Sequence, residues 1–113
     1  WFDADLVWGG PSTLVVSLIE YVVFAPVFEE LAFRGLLFGV FRRRFQWGVA
    51  AMLSAALFAL AHGYGLIGFL SVFWSGVIWA WAYERTGSLW PGMIGHAINN
   101  LLVCLSVMAL LRA

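Results

Sequence analysis

Uncharged apolar runs set the framework of this chain. Leu66 to Tyr83 (LIGFLSVFWSGVIWAWAY) runs for 18 residues without a charge, a length that reads as a membrane-spanning helix. Phe45 to Ala61 is also uncharged, and its Gly, Ala and Ser content suits close helix–helix contact in lipid. A third run extends from Pro91, placed as a first-turn proline, to Leu111. Thr13 to Phe41 is long enough to cross with some tilt, yet it carries Glu20, Glu29, Glu30 and Arg34 in its apolar background, and Pro26 predicts a kink within it. Gly9-Gly10-Pro11-Ser12, Arg42-Arg43-Arg44, Gly63-Tyr64-Gly65 and Thr86-Gly87-Ser88 punctuate the runs. The pattern predicts an all-α, multi-pass transmembrane bundle of about four helices, with no strand and no internal repeat.

Composition narrows the class. The 113 residues are 64% hydrophobic and 11% charged, whereas an ordinary soluble domain has about 25% charged residues. Six acidic residues balance six arginines and there is no lysine, so no nucleic-acid-binding surface is expected. The single cysteine, Cys104, excludes a disulfide framework or a cysteine-based zinc site. Because the sequence opens at Trp1 and shows no secretory leader, residues 1–113 read as one membrane-embedded domain excised from a longer chain. Arg42, Arg43, Arg44 and Arg85 fall in the loops of one side, with Arg112, Asp3 and Asp5 on the other. The positive-inside rule then places the arginine loops in the cytoplasm. The seven tryptophans fit interfacial anchoring, with Trp79 and Trp81 near a helix end.

Ionisable groups at membrane depth cost about 2.5–3.5 kcal/mol each on insertion scales, so those in spanning segments mark candidate sites. Glu30 and Arg34 stand four apart, acid first, and can neutralise each other on one helix face. Glu29 points about 100° away and finds no partner on its own helix. A carboxyl in apolar surroundings is suited to general acid–base work near neutral pH. The alternative is that all three form a buried polar knot that joins helices. The two histidines, His62 and His96, both fall inside apolar helices. Each could serve simply as an interhelical hydrogen-bonder. His96 and Asn100 share a face, as do Phe58 and His62. Asn100 can donate from its amide to a developing oxyanion, Asn99 is better placed to bond a neighbouring helix, and Phe58 packs beside the polar groups.

Glu29-Glu30-Leu-Ala-Phe-Arg34, Phe58-Ala-Leu-Ala-His62 and His96-Ala-Ile-Asn-Asn100 resemble the three ordered motifs EExxxR, FxxxH and Hxxx(N/D) of the CPBP (Abi) intramembrane proteases. That family includes the type II CAAX prenyl endopeptidases and bacterial proteins linked to bacteriocin processing and self-immunity. The resemblance covers about Val15 to Leu110, and no motif position departs from the pattern. It implies a multi-pass endopeptidase, in a bacterial cell membrane, acting on a protein or peptide presented at the lipid surface, lipidated substrates included. Glu29 would activate water, His62 and His96 would line the site, Asn100 would stabilise the oxyanion, and Glu30 with Arg34 would support the architecture. The family is commonly labelled metalloprotease. Glu29, His62 and His96 are the candidate zinc ligands, though HExxH is absent and glutamate-activated water is the version adopted here. The rival reading is a non-catalytic immunity or scaffold protein with the same fold, or a proton-coupled carrier, which would normally show repeat symmetry.

Depth raises a geometric question. At about 1.5 Å per residue, Glu29 lies about 20 Å from Arg42, His62 about 22 Å from Trp47, and His96 only about 8 Å from Pro91. Convergence requires tilting, the kink at Pro26 or a re-entrant Thr86–Trp90 segment.

Overall fold

The computed structural model describes residues 9–113; Trp1, Asp3 and Asp5, used above for topology, lie outside the described residues. Helical backbone runs as α1 over Pro11–Arg42, α2 over Trp47–His62, α3 over Leu66–Thr86 and α4 over Trp90–Arg112. Three of these, α1, α3 and α4, are long and apolar enough to cross a membrane. The second apolar run does not reach that length. At 16 residues, α2 rises about 24 Å against a hydrocarbon core of about 30 Å. The run ends early because Gly63, at φ +67°, turns the chain left-handed directly after His62.

Helix α1 is wound differently from the simple α-helix expected. Its register widens to π over Glu20–Phe24 and again over Glu30–Phe38. The helix starts at Pro11, two residues earlier than expected, with proline in the first turn, where a missing N–H costs nothing. Pro91 likewise sits in the first turn of α4.

Packing divides the chain into two compact units. The Glu29–Gly92 unit holds the end of α1 with α2 and α3. Helix α2 presents Ala50, Ala51, Ser54, Ala55 and Ala59 inward, and α3 presents Gly76 and Ala80. The approach is close: a Cβ on Gly76 would stand 3.0 Å from Ala55 Cβ and 3.2 Å from an Arg34 terminal nitrogen. Small residues let backbones approach in lipid, where van der Waals contact takes the place of a hydrophobic driving force. Phe38, Ala50, Ala51 and Ala80 form the buried cluster, and Phe41 and Tyr83 pack against it. At one end Arg42 grips Glu84, donating from Nε at 3.1 Å and from a terminal nitrogen at 2.9 Å. This pair fastens the end of α1 to the end of α3.

The other unit joins the N-terminal part of α1, up to Phe28, with Met93–Ala113 of α4. Its buried residues include Ser17, Pro26, His96 and Cys104.

Among the described residues no Leu, Ile or Val is buried, whereas Glu30, Arg34, Ser54 and His96 are. Leu66, Ile67, Leu36 and Leu102 point outward instead. That inversion is expected when the solvent is lipid: leucine gains nothing by leaving hydrocarbon, and polar groups must find partners inside.

Candidate active site

The π-wound segment of α1 organises the polar groups. Pro26, Glu30, Arg34 and Phe38 are all buried and stand four residues apart. In a regular α-helix such a stripe would drift by about 40° per step. Winding with i→i+5 bonds raises the residues per turn and turns that drift the other way, and Glu30, Arg34 and Phe38 all remain buried. An Arg34 terminal nitrogen lies 3.4 Å from Glu30 Oε1, with both side chains 1% exposed. The guanidinium carbon sits 4.3 Å from the centre of the Phe58 ring, a cation–π contact. Gly92 completes the enclosure, since a Cβ there would approach Glu30 Oε2 to 3.0 Å.

Glu29, left without a partner on its own helix by the sequence pattern, meets His62 of α2 instead. Their facing atoms, Oε2 and Nε2, are 3.9 Å apart, with the side chains 19% and 9% exposed. The other ring nitrogen, Nδ1, is 2.7 Å from the main-chain carbonyl of Phe58. A carbonyl only accepts, so Nδ1 carries a hydrogen, and Nε2 is the ring nitrogen that faces Glu29. The imidazole is further held edge-on to Phe58, with ring centres at 4.6 Å, and tilted against Tyr64 at 5.7 Å. Phe33 braces Phe58 from α1 at 5.0 Å. Phe58 thus contacts the guanidinium and the imidazole at once.

The depths of Glu29 and His62 agree because α1 descends to Arg42 as α2 climbs back from Trp47, and the two residues lie at comparable distances from that turn.

His96 and Asn100 belong to the other unit. His96 is buried. Asn100 donates from Nδ2 to the Tyr21 carbonyl of α1 at 2.8 Å. The cause lies in the π segment. The N–H of Ala25 goes to the Glu20 carbonyl, five residues back. In the same register Tyr21 would take the N–H of residue 26, which is proline and has none. Asn100 supplies a donor in its place. Asn100 thus makes the interhelical bond expected of Asn99, which lies on an exposed face. Sequence reading also missed Tyr21, Phe33, Tyr64, Gly76, Gly92 and Glu84. Only the glycines carried a signal, as small residues interrupting apolar spans.

Glu29 and His62 provide two metal donors, and among the described residues no group of three His, Cys, Asp or Glu side chains gathers as a ligand set. A catalytic zinc ordinarily takes three protein ligands, so the two within this unit would need a third, and His96, the remaining candidate, belongs to the other unit.

The sequence profile described as type II CAAX prenyl endopeptidase Rce1-like matches residues 11–102. The chain is 27% identical over 99 residues to "Putative membrane peptidase YdiL" of Bacillus subtilis (strain 168), covering 88% of this chain and 38% of that protein. It is 32% identical over 87 residues to "Uncharacterized 24.3 kDa protein" of Escherichia coli, covering 74% of this chain and 40% of the relative. The chain thus spans about two fifths of the length of these curated relatives. No solved structure matches.

Proposed function

Because this integral membrane chain belongs to the Rce1-like family of type II CAAX prenyl endopeptidases, we propose that it hydrolyses a peptide bond of a membrane-presented protein or peptide, with Glu29 activating the water. The observation that carries this reading is the Glu29–His62 pair. Its 3.9 Å separation is too long for a direct hydrogen bond and sets both polar atoms within reach of one water beside the pair. His62 is fixed by Phe58 so that Nε2 faces that position.

In the proposed reaction Glu29 takes a proton from the water as its oxygen attacks the scissile carbonyl carbon. The carbonyl oxygen becomes the oxyanion of the tetrahedral intermediate. When the C–N bond breaks, the protonated Glu29 returns its proton to the leaving amine. His62 orients the water through Nε2. The motif match adds His96 and Asn100 as donors to the oxyanion, Asn100 through the amide hydrogen that Tyr21 does not take. Glu30 and Arg34, closed off by Phe58, Gly76 and Gly92, hold α1 against α2 and α3 and keep Glu29 in place. The two relatives come from bacteria, and a bacterial cell membrane is the proposed location.

The test is cleavage of a lipid-anchored reporter peptide by the whole protein in proteoliposomes, wild type against Glu29→Gln. The variant should keep its fold and lose turnover by at least about 10²-fold, the lower range for a general base. Turnover within a few-fold of wild type would remove Glu29 from the chemistry. No cleavage by the wild-type protein of any anchored peptide would favour the non-catalytic scaffold reading.

A further inference from the structure

Where α1 and α3 end beside the start of α2, a cleft of about 390 Å³ is lined by Trp47, Trp81, Glu84 and Arg85. Trp81, Glu84 and Arg85 are three and four residues apart and so share one face of the last turns of α3. Trp47 opens α2 across the turn. The charges in this cleft are unequal in availability. Glu84 is gripped by the Nε and terminal nitrogen of Arg42, which neutralises it and occupies its oxygens. Arg85 is exposed and has no ion pair with another described residue. Arg42 with Glu84 sums to zero, and Arg85 leaves one net positive charge between two indoles that are 42% and 48% exposed.

We infer that this cleft binds the phosphate of an anionic phospholipid headgroup, with Arg85 forking onto the phosphate oxygens and Trp47 and Trp81 flanking the glycerol region. Three considerations support a lipid source over a free anion. The cleft sits at the ends of two helices long and apolar enough to span a bilayer, at the level where headgroups lie. Indoles prefer that level because one edge is apolar and the N–H is wet. A planar guanidinium meets a phosphate with two parallel hydrogen bonds, which a diffuse field does not require. Arg43 and Arg44, exposed in the adjoining turn, add long-range attraction to an anionic surface. The inference stands on the cleft alone and is independent of the proposed peptidase chemistry.

Native mass spectrometry of the whole protein released from nanodiscs tests it, comparing phosphatidylglycerol with phosphatidylcholine. The expected result is retention of one phosphatidylglycerol with an affinity at least about tenfold above phosphatidylcholine. Arg85→Gln should lower that affinity by about tenfold or more, and Arg43→Gln by no more than about fivefold, the contribution of one generic basic residue at an anionic surface. Arg85→Lys should fall between wild type and Arg85→Gln, because charge is kept and the fork is lost. This second variant decides the matter if Arg85→Gln fails to fold. Soluble glycerol phosphate and inorganic phosphate at millimolar concentration should leave the lipid bound. Equal losses in Arg43→Gln and Arg85→Gln would show a diffuse basic surface and overturn the site. Displacement of the lipid by free phosphate would overturn the lipid assignment, as would equal retention of the two lipids.

Discussion

Glu29 and Glu30 are neighbours in sequence with opposite surroundings, and the difference is testable by amide substitution. Glu29 faces the imidazole of His62 across 3.9 Å, whereas Glu30 is 1% exposed and paired with Arg34. Glu29→Gln preserves shape and removes only the titratable oxygen, so its melting temperature in detergent should stay near wild type while cleavage collapses. Glu30→Gln strands the Arg34 charge under Phe58 and Gly76, and breaking a buried pair from one side costs about 3–5 kcal/mol. A lower melting temperature and poorer yield should follow. Adding Arg34→Gln should return part of the loss, since the stranded charge is gone. If Glu29→Gln melts below Glu30→Gln, and Glu30→Gln loses turnover at normal stability, the base and the structural partner have been assigned the wrong way round. His62 belongs to the same scale. The Phe58 ring packs edge-on against the imidazole at 4.6 Å, so Phe58→Ala, which keeps the main-chain acceptor of Nδ1, should loosen the His62 ring and lower turnover while the Glu30–Arg34 pair also loses its aromatic lid.

At the level of the element, α1 shows how a proline becomes a connection. Pro26 removes an N–H, the backbone responds by widening to π over Glu20–Phe24, and Asn100 of α4 takes up the Tyr21 carbonyl. Asn100→Leu removes the side-chain donor from that part-buried carbonyl and should cost about 1–3 kcal/mol. Pro26→Ala restores an N–H in reach of Tyr21, so the double variant should lose less than Asn100→Leu does in the wild-type background. The coupling between the two sites should fall within about 0.5–3 kcal/mol, read from melting temperatures of the four proteins. Strictly additive losses would mean that Asn100 acts elsewhere. Helix α2 carries a second lesson: its core face is alanine and serine, and its affinity for α3 rests on closeness, so Gly76→Leu should disrupt the pair far more than an exterior Leu57→Ala.

For the molecule as a whole, topology and metal content are the open quantities with clear readouts. Cysteine labelling of a Cys104-free protein should find the Arg42–Arg44 turn accessible from the cytoplasm, because arginines accumulate there. The Gly63–Gly65 turn should label from the opposite side or, given that α2 is only 16 residues long, from within the membrane's far interface. Labelling of both turns from one side would make α2 a re-entrant segment. Elemental analysis of active protein should give zinc well below one per chain, with most cleavage surviving a chelator, as expected if Glu29 activates the water directly and HExxH is absent. A full equivalent of zinc, lost together with activity in His62→Ala, would replace glutamate-activated water by a metal centre.

The apolar runs and the glycine breaks determined by themselves that the chain is an all-α membrane protein and located the ends of α3 and α4 to within a few residues, while its peptidase family entered through the resemblance of its three motifs. They could do so because lipid imposes length and composition on each segment independently of its neighbours. The Glu30–Arg34 pair was equally legible, since both residues lie on one helix. Tertiary structure decided what spacing along one helix cannot carry: that α1 widens to π, that Glu29 answers to His62, that Phe58 serves a guanidinium and an imidazole together, and that Asn100 spends an amide hydrogen on Tyr21. Each of these depends on a partner from a different helix, or on a backbone register that changes where a proline withholds its hydrogen. Periodicity read with a fixed 3.6-residue turn has no access to either.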